Sequence, residues 1–256
     1  MGAGPRRRLR LGAGKGLSAP ARVQASAVEV VDLAVTPLRE LNQRLHDLGR
    51  DTAGPPLWRV VNPNGAHAVA CGLDAELEVE IEGHVGYYCA GMNKLATVRI
   101  RGNAGPGLAE NVMSGTVVVD GNASQSAGAT GRGGLLVVHG NASARCGISM
   151  KGVDIVVGGS VGHLSAFMAQ TGRLVVCGDA GDALGDSIYE ARVYVRGRVA
   201  GLGADCVQKE LRAEHAAELR DLLARAGIDG VDPAEFRRYG SARQLYTFKV
   251  DNAGAY

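Results

Sequence analysis

Gly83, Gly102, Gly121, Gly140, Gly159, Gly178 and Gly197 follow one another at a constant interval of 19 residues. Directly before each comes a short β-favouring run: VEIE, VRIR, VVVD, LVVH, IVVG, LVVC and VYVR. Four and two places before each glycine stands a branched aliphatic residue, from Val79 and Ile81 to Val193 and Val195. A period of two puts each pair on one face of a strand. Two places after each glycine stands Val or Ala, and seven places after the first six stands Ala or Gly. A unit this short cannot bury its own apolar face, whereas stacked copies share one core. At a strand spacing of about 4.8 Å, the six full units form a prism on the order of 30 Å long. The pattern predicts an all-β solenoid, a parallel β-helix with 19-residue coils, right-handed by the crossover rule.

The glycine-rich stretch "GNASQSAGATGRGGLLVVHGNASARCG" could instead suggest a loop that cradles a phosphate. Such a loop is singular and opens a helix. Here GNAS occurs twice, at Gly121 and Gly140, and leads into more strand. The glycines are therefore read as coil corners, which need either φ > 0 or close approach of backbone between layers. Asn103, Asn122 and Asn141 fall one place past their corners, where Asn tolerates a left-handed backbone and can stack its amides.

Four regions follow from this pattern. Residues 1–27 hold six basic residues before the first acid, Glu29, without the unbroken apolar centre of an export signal. They are read as a disordered basic extension and left out of the fold. Residues 28–76 form an N-terminal cap, with a helix from Pro37 through Leu38, Leu41, Leu45 and Leu48 to Gly49 and mixed strand from Trp58 to Ala70. The β-helix occupies 77–203. Residues 204–256 form a helical C-terminal cap, with a long helix over Val207–Ala226, a short one at Asp232–Glu235 and a strand over Leu245–Val250.

The chain carries no catalytic constellation. Ser165 in GHLSAF lacks the second glycine of a nucleophile elbow. His67, His84, His139 and His163 show no metal-ligand spacing. Asp179, Asp182, Asp186 and Glu190 gather in one coil but are sparser than a calcium loop requires, and read as an acidic rim. The five cysteines include no CxxC, which favours reduced thiols and a cytoplasmic protein. Cys89 and Cys146 share a register three coils apart, roughly 14 Å, too far for a disulfide. A net charge of +2 gives no case for nucleic acid, and no apolar run reaches membrane length. Aromatic content is only 4%, and the gathered acids Asp179, Asp182, Asp186 and Glu190 lie in one coil, which argues against a polysaccharide-active β-helix enzyme.

Two sets of residues stand out as surface candidates. Lys94, Arg132 and Lys151 share the register eleven places past their corners, a basic ridge that is either solvated or faces an acidic partner. Tyr87 and Tyr88 with Met92, and Phe167 with Met168, lie off the strand register. They suit either a protein interface or packing beneath a helix.

A strand followed by Gly-x-x-Gly-x-x-x-Gly at this period resembles the GXGXG β-helix domain at the C-terminus of the glutamate synthase large subunit. It is also similar to the GXGXG-bearing component of formylmethanofuran dehydrogenase complexes. The residues that carry the resemblance include "GHVGYYCAGM", "GNAGPGLAENVMSGTVVVDGNAS" and "GGSVGHLSAFMAQTGRLVVCGDAGDALG", within Leu77–Gly203. The stretches "GHVGYYCAGMNK", "SQSAGATGRGG" and "GISMKGVDIVVGG", with the tail "FRRYGSARQLY", look most like the free-standing GXGXG subunit of N-methylglutamate synthase, the GlxC type. The resemblance implies a non-catalytic structural subunit. It would bridge a glutamine amidotransferase subunit and a synthase subunit that binds FMN and an iron–sulfur cluster. The cofactors would then lie in the partner, with no nucleic acid or membrane involved. The alternative it leaves open is a scaffold subunit of a formyl-transferring complex.

Overall fold

The computed structural model describes residues 28–49 and 57–243. Among the described residues, eleven strands form one sheet. The repeat builds β3 (Glu78–Glu82), β4 (Thr97–Ile100), β5 (Thr116–Val119), β6 (Leu135–Val138), β7 (Lys151–Val157), β8 (Thr171–Val176) and β9 (Arg192–Val195). All pair in parallel with partners 19 residues apart, such as Val98 with Val117 and Ile155 with Leu174. The one irregularity lies at the start of β7, where Lys151 pairs with Thr171 and the register shifts before Asp154. A second line of contact runs up the opposite wall through Val85, Ala104, Ala123, Ala142, Val161, Ala180 and Val199. The parallel β-helix is thus present as the repeat predicts.

The aliphatic pairs all point inward. From Val79 and Ile81 through Val193 and Val195, none is more than 1% exposed. Opposite them the wall must be thin, and Ala90, Ala109 and Ala166 fill it with single methyl groups, fully buried. At Gly128 of the same register an added Cβ would lie 2.6 Å from Ile155 Cδ1, so bulk is excluded by the facing side chains themselves.

Two further rungs precede the repeat. Strand β2 (Leu57–Val61) pairs in parallel with β3, and β1 (Val28–Asp32) with β2, although the offsets are 21 and 29 residues. Trp58 and Val60 continue the inward rows. Helix α1 (Leu38–His46) closes the column from below with Leu41 and Leu45 buried. The Asn42 amide donates to Ala68 O and accepts from Ala70 N, supplying the first coil with the partners that another coil would give.

The C-terminal end differs from the sequence-based expectation. The stretch from Val207 is not helical at its start: β10 (Cys206–Lys209) comes first, and helix α2 covers Ala213–Arg225. A 3-10 turn follows at Pro233–Glu235, its Asp232 carboxylate accepting from Ala234 N, as the Asp-Pro signal indicates. Strand β11 (Arg237–Ser241) then inserts antiparallel between β9 and β10. The strand expected over Leu245–Val250 and the extension over residues 1–27 lie outside the described residues.

Helix α2 lies on the outer face of the sheet. Leu219, Leu222, Leu223 and Ala226, with Phe236, cover Val118, Leu135, Val137, Val156, Val175, Cys177 and Tyr194. Strands β5 to β9 are therefore apolar on both faces, one toward the column and one toward the helix. Strands β3 and β4 turn charge outward instead, with Arg101 paired to both Glu80 and Asp120.

Candidate functional site

The corner glycines serve close packing of backbone. Of the seven, only Gly83 has a positive φ, +134°; the left-handed alternative does not apply to the other six. From Gly121 onward each corner N–H donates to the corner carbonyl beneath it, as Gly121 to Gly102 at 3.0 Å and Gly159 to Gly140 at 2.9 Å. A Cβ added at Gly102 would lie 2.6 Å from the Gly83 carbonyl carbon, and one at Gly140 2.7 Å from Gly121 O. No side chain fits between layers that close.

One place further on, side chains form a ladder of a kind the sequence only half suggests. Asn103, Asn122 and Asn141 are not left-handed. Their side-chain oxygens accept from the backbone N–H of the next coil, at 2.7 Å for Asn122 N, 2.8 Å for Asn141 N and 2.8 Å for Ser160 N. His84 Nδ1 begins the series by accepting from Asn103 N, and Asp179 ends it by accepting from Arg198 N. The residues of the repeat thus have structural occupations in the backbone ladder.

The left-handed residues lie on the curved wall, five, seven and nine places past the corners. They include Tyr88, Ala90 and Met92 in one coil and Leu164, Ala166 and Met168 in another, with φ between +52° and +61°. Their N–H groups alternate in direction: Tyr88 N reaches up to Pro106 O, Ala90 N down to Val69 O, and Met92 N up to Glu110 O.

The surface candidates occupy this wall. Tyr87 and Tyr88 stack with ring centroids 5.4 Å apart, Tyr87 about half exposed, and His67 meets Tyr87 edge-on. Asn111 Nδ2 donates to the Tyr88 hydroxyl at 3.2 Å. The Tyr88 ring lies directly over Gly91, 2.5 Å or more from where a Cβ would stand. Lys94, Arg132 and Lys151 do share one register, but they are not equivalent. Lys94 Nζ lies 3.2 Å from Asp74, whereas among the described residues Arg132 and Lys151 form no ion pair. Met113 interrupts the row between Lys94 and Arg132 and is exposed. Phe167 is half-buried in the coil that carries exposed Met168. These aromatic and Met residues do not lie beneath α2, whose partners are all on the flat sheet.

The remaining titratable candidates stay apart. Among the described residues no group of three His, Cys, Asp or Glu is placed to hold a metal ion. Asp179 and Asp182 are exposed, and the Asp179 carboxylate is taken up by the ladder. Ser165 is buried and donates to Gly162 O at 2.9 Å. All five cysteines are free, and burial pushes the Cys146 thiol up to about 12 and that of Cys206 to about 11. Burial also raises the Cys89 thiol, with nearby Cys71 adding to the shift.

The sequence reading missed a polar cluster beneath α2. Arg173 binds Asp154 through two bonds of 2.6 Å, and donates to Glu218 at 3.1 Å. Arg192 also pairs with Glu218, at 2.9 Å, and the Tyr194 hydroxyl donates to its other oxygen at 2.6 Å. Burial, with the Glu218 hydrogen bond, raises the Tyr194 hydroxyl far above its ordinary value. The signal available in the sequence was an acid or arginine at the outward start of three successive strands, beside outward valines that needed a cover. The cluster locks the helix to the sheet. On the outer face of β2 to β4 lies a shallow depression of about 190 Å³, lined by Glu78, Arg99 and Arg101 among others.

No protein-family model matches this chain, and no solved structure matches it. A curated protein similar to it is Protein GlxC of Rhizobium meliloti (strain 1021), 61% identical over 227 residues. The match covers 89% of this chain and 99% of that protein.

Proposed function

Because the chain belongs to the GlxC family, we propose that it is the non-catalytic structural subunit of a flavin-dependent glutamate synthase-like complex of N-methylglutamate synthase type. In this reading it bridges a glutamine amidotransferase subunit and an FMN- and iron–sulfur-binding synthase subunit. The observation that carries the proposal is the 61% identity over nearly the whole relative, together with the resemblance of its coils to the GXGXG domain. The resemblance to the free-standing subunit of N-methylglutamate synthase favours this host over a formyl-transferring complex.

The repeat itself supports a scaffold. The corner glycines and the Asn–Ser–Asp ladder are consumed in joining coil to coil, and the inward aliphatics in filling the column. Nor do the cysteines fit an iron–sulfur cluster, which takes four convergent thiolates. Four of the five are buried, in four different coils, and burial holds the thiols protonated. In this reading the cluster belongs to the partner. A rigid prism suits the task of holding two enzymes at a fixed distance, so that ammonia released at one reaches the other.

The test is to isolate the tagged chain from its native host and identify what accompanies it. The expected result is co-purification with an amidotransferase-like and a flavin-containing subunit, with neither flavin nor turnover in the chain alone. Turnover by the pure chain overturns the scaffold reading.

A further inference from the structure

Four large apolar side chains crowd one part of the curved wall: Tyr87, Met92, Leu95 and Met113, each between 41% and 51% exposed. Single exposed apolar residues are ordinary; a contiguous group on a rigid surface marks a contact. These belong together through the coil stacking. Met113 N donates to Asn93 O, beside Lys94 and Leu95, and Met92 N donates to Glu110 O in Met113's coil. The stacked Tyr87 and Tyr88 rings extend the group past Gly91.

Backbone conformation bears on two residues of this part of the wall. Tyr88 and Met92 are left-handed, with φ of +61° and +56°. In other coils the same two registers hold Gly107, Ser126, Asn111 and Ser149, but also the larger Thr130, Arg145, Leu164 and Met168. Met92, in strained backbone and 46% exposed, gains little inside this chain. It does gain from a partner that covers it, and Tyr and Met are residues enriched in such contacts.

Charge indicates what the partner brings. Continuing the row from Met113, Arg132 and Lys151 follow at steps of about 4.8 Å. Neither has an ion pair among the described residues, whereas Lys94 on the other side is already held by Asp74. We propose that this ledge, Tyr87 to Met113 with Arg132 and Lys151, docks a protein segment whose apolar side chains are bordered by carboxylates. The apolar group anchors the segment, and the two free cations fix its register. The proposal rests on the bridging reading above and places one of the two joints.

The experiment uses the complex retrieved from the native host by the tagged full chain. Met92→Glu with Met113→Glu is expected to lower retrieval of one partner subunit at least tenfold, with the circular dichroism spectrum and melting unchanged. Arg132→Glu with Lys151→Glu is expected to do the same at low salt and less at high salt. A photo-crosslinking amino acid in place of Met113, in an otherwise native complex, is expected to label a partner peptide containing Asp or Glu beside apolar residues. If folded variants retain both partners, the ledge is not the joint, and a labelled peptide without acids overturns the stated chemistry. If even the unaltered chain retrieves neither subunit, the bridging reading fails, and this proposal with it.

Discussion

Replacing Gly140 by Ala asks directly why a glycine stands at each corner. Gly140 is not left-handed, so an account resting on backbone freedom expects alanine to be harmless, or mildly stabilising because the unfolded chain loses entropy. Close approach leads to the opposite expectation. The added methyl would stand 2.6 Å from Asn122 Oδ1, 2.7 Å from Gly121 O and 2.9 Å from the Gly121 carbonyl carbon. Two of these atoms are backbone, pinned by further rungs below. Restoring ordinary contact means parting the coils by more than half an ångström, which stretches the 3.0 Å Gly140–Gly121 bond. Overpacking costs about 1–3 kcal/mol and a weakened hydrogen bond about 1 kcal/mol, so the expected loss is roughly 2–4 kcal/mol. In a protein of this size that lowers Tm by roughly 4–16 °C. The control is Gly49→Ala just past α1, where an added Cβ would meet no atom within 4 Å and φ is not positive; its expected change is about 0.5 kcal/mol or less. Thermal melts followed by circular dichroism compare the two. Equal melting temperatures for Gly140→Ala and Gly49→Ala refute the close-approach account.

Two other consequences are open to measurement. Glu218→Ala removes the acceptor shared by Arg173, Arg192 and Tyr194 while the arginines stay partly covered, so a loss of roughly 3–5 kcal/mol and early proteolytic release of α2 are expected; an unchanged melt means the cluster is idle. Cys146, whose thiol is pushed from 9.0 to about 12, is held neutral by the fold, so its contribution is complete below pH 9 and is lost as pH rises toward 12. Stability should therefore fall by about 1.4 kcal/mol per pH unit from this thiol across that window. Cys146→Ala should flatten the fall, as read from urea midpoints at pH 8 and pH 10.5.

The repeat was legible because burial and close approach act at fixed register, and each leaves a residue type behind: branched aliphatics inward, glycine at the corner, alanine on the thin wall. Of the two rungs before it, β1 was not legible and β2 only as the start of a mixed strand from Trp58, since Asn62 stands in the register where the later coils have glycine and the offsets are 21 and 29. Runs such as LVVH and IVVG hid the outer stripe, because an unbroken apolar run satisfies the inward pattern and conceals Val137 and Val156 facing the other way. Their need for a cover explains why α2 folds back over the sheet rather than ending the column. The Cys206–Lys209 strand was masked by its short, mixed sequence; its partner Arg237–Ser241 lies beyond the helix, and no local pattern joins the two. At the candidate surface, aromatic pairs and like charges were visible as residues. Met113 and Leu95 joined the group only once the coils were stacked, since they lie in different units.

The helix α2 also settles where such a molecule can change in length. Each coil touches only its neighbours, so excising one unit between β3 and β5 would draw the two ends together by a single step of about 4.8 Å and renew every bond across the cut. Beyond β5 the same excision would slide valines out from under Leu219 and Leu222 and pull Arg173 and Arg192 away from Glu218. The span from column end to column end is adjustable on the bare side and fixed on the strapped one, so relatives of different reach should differ among the early coils.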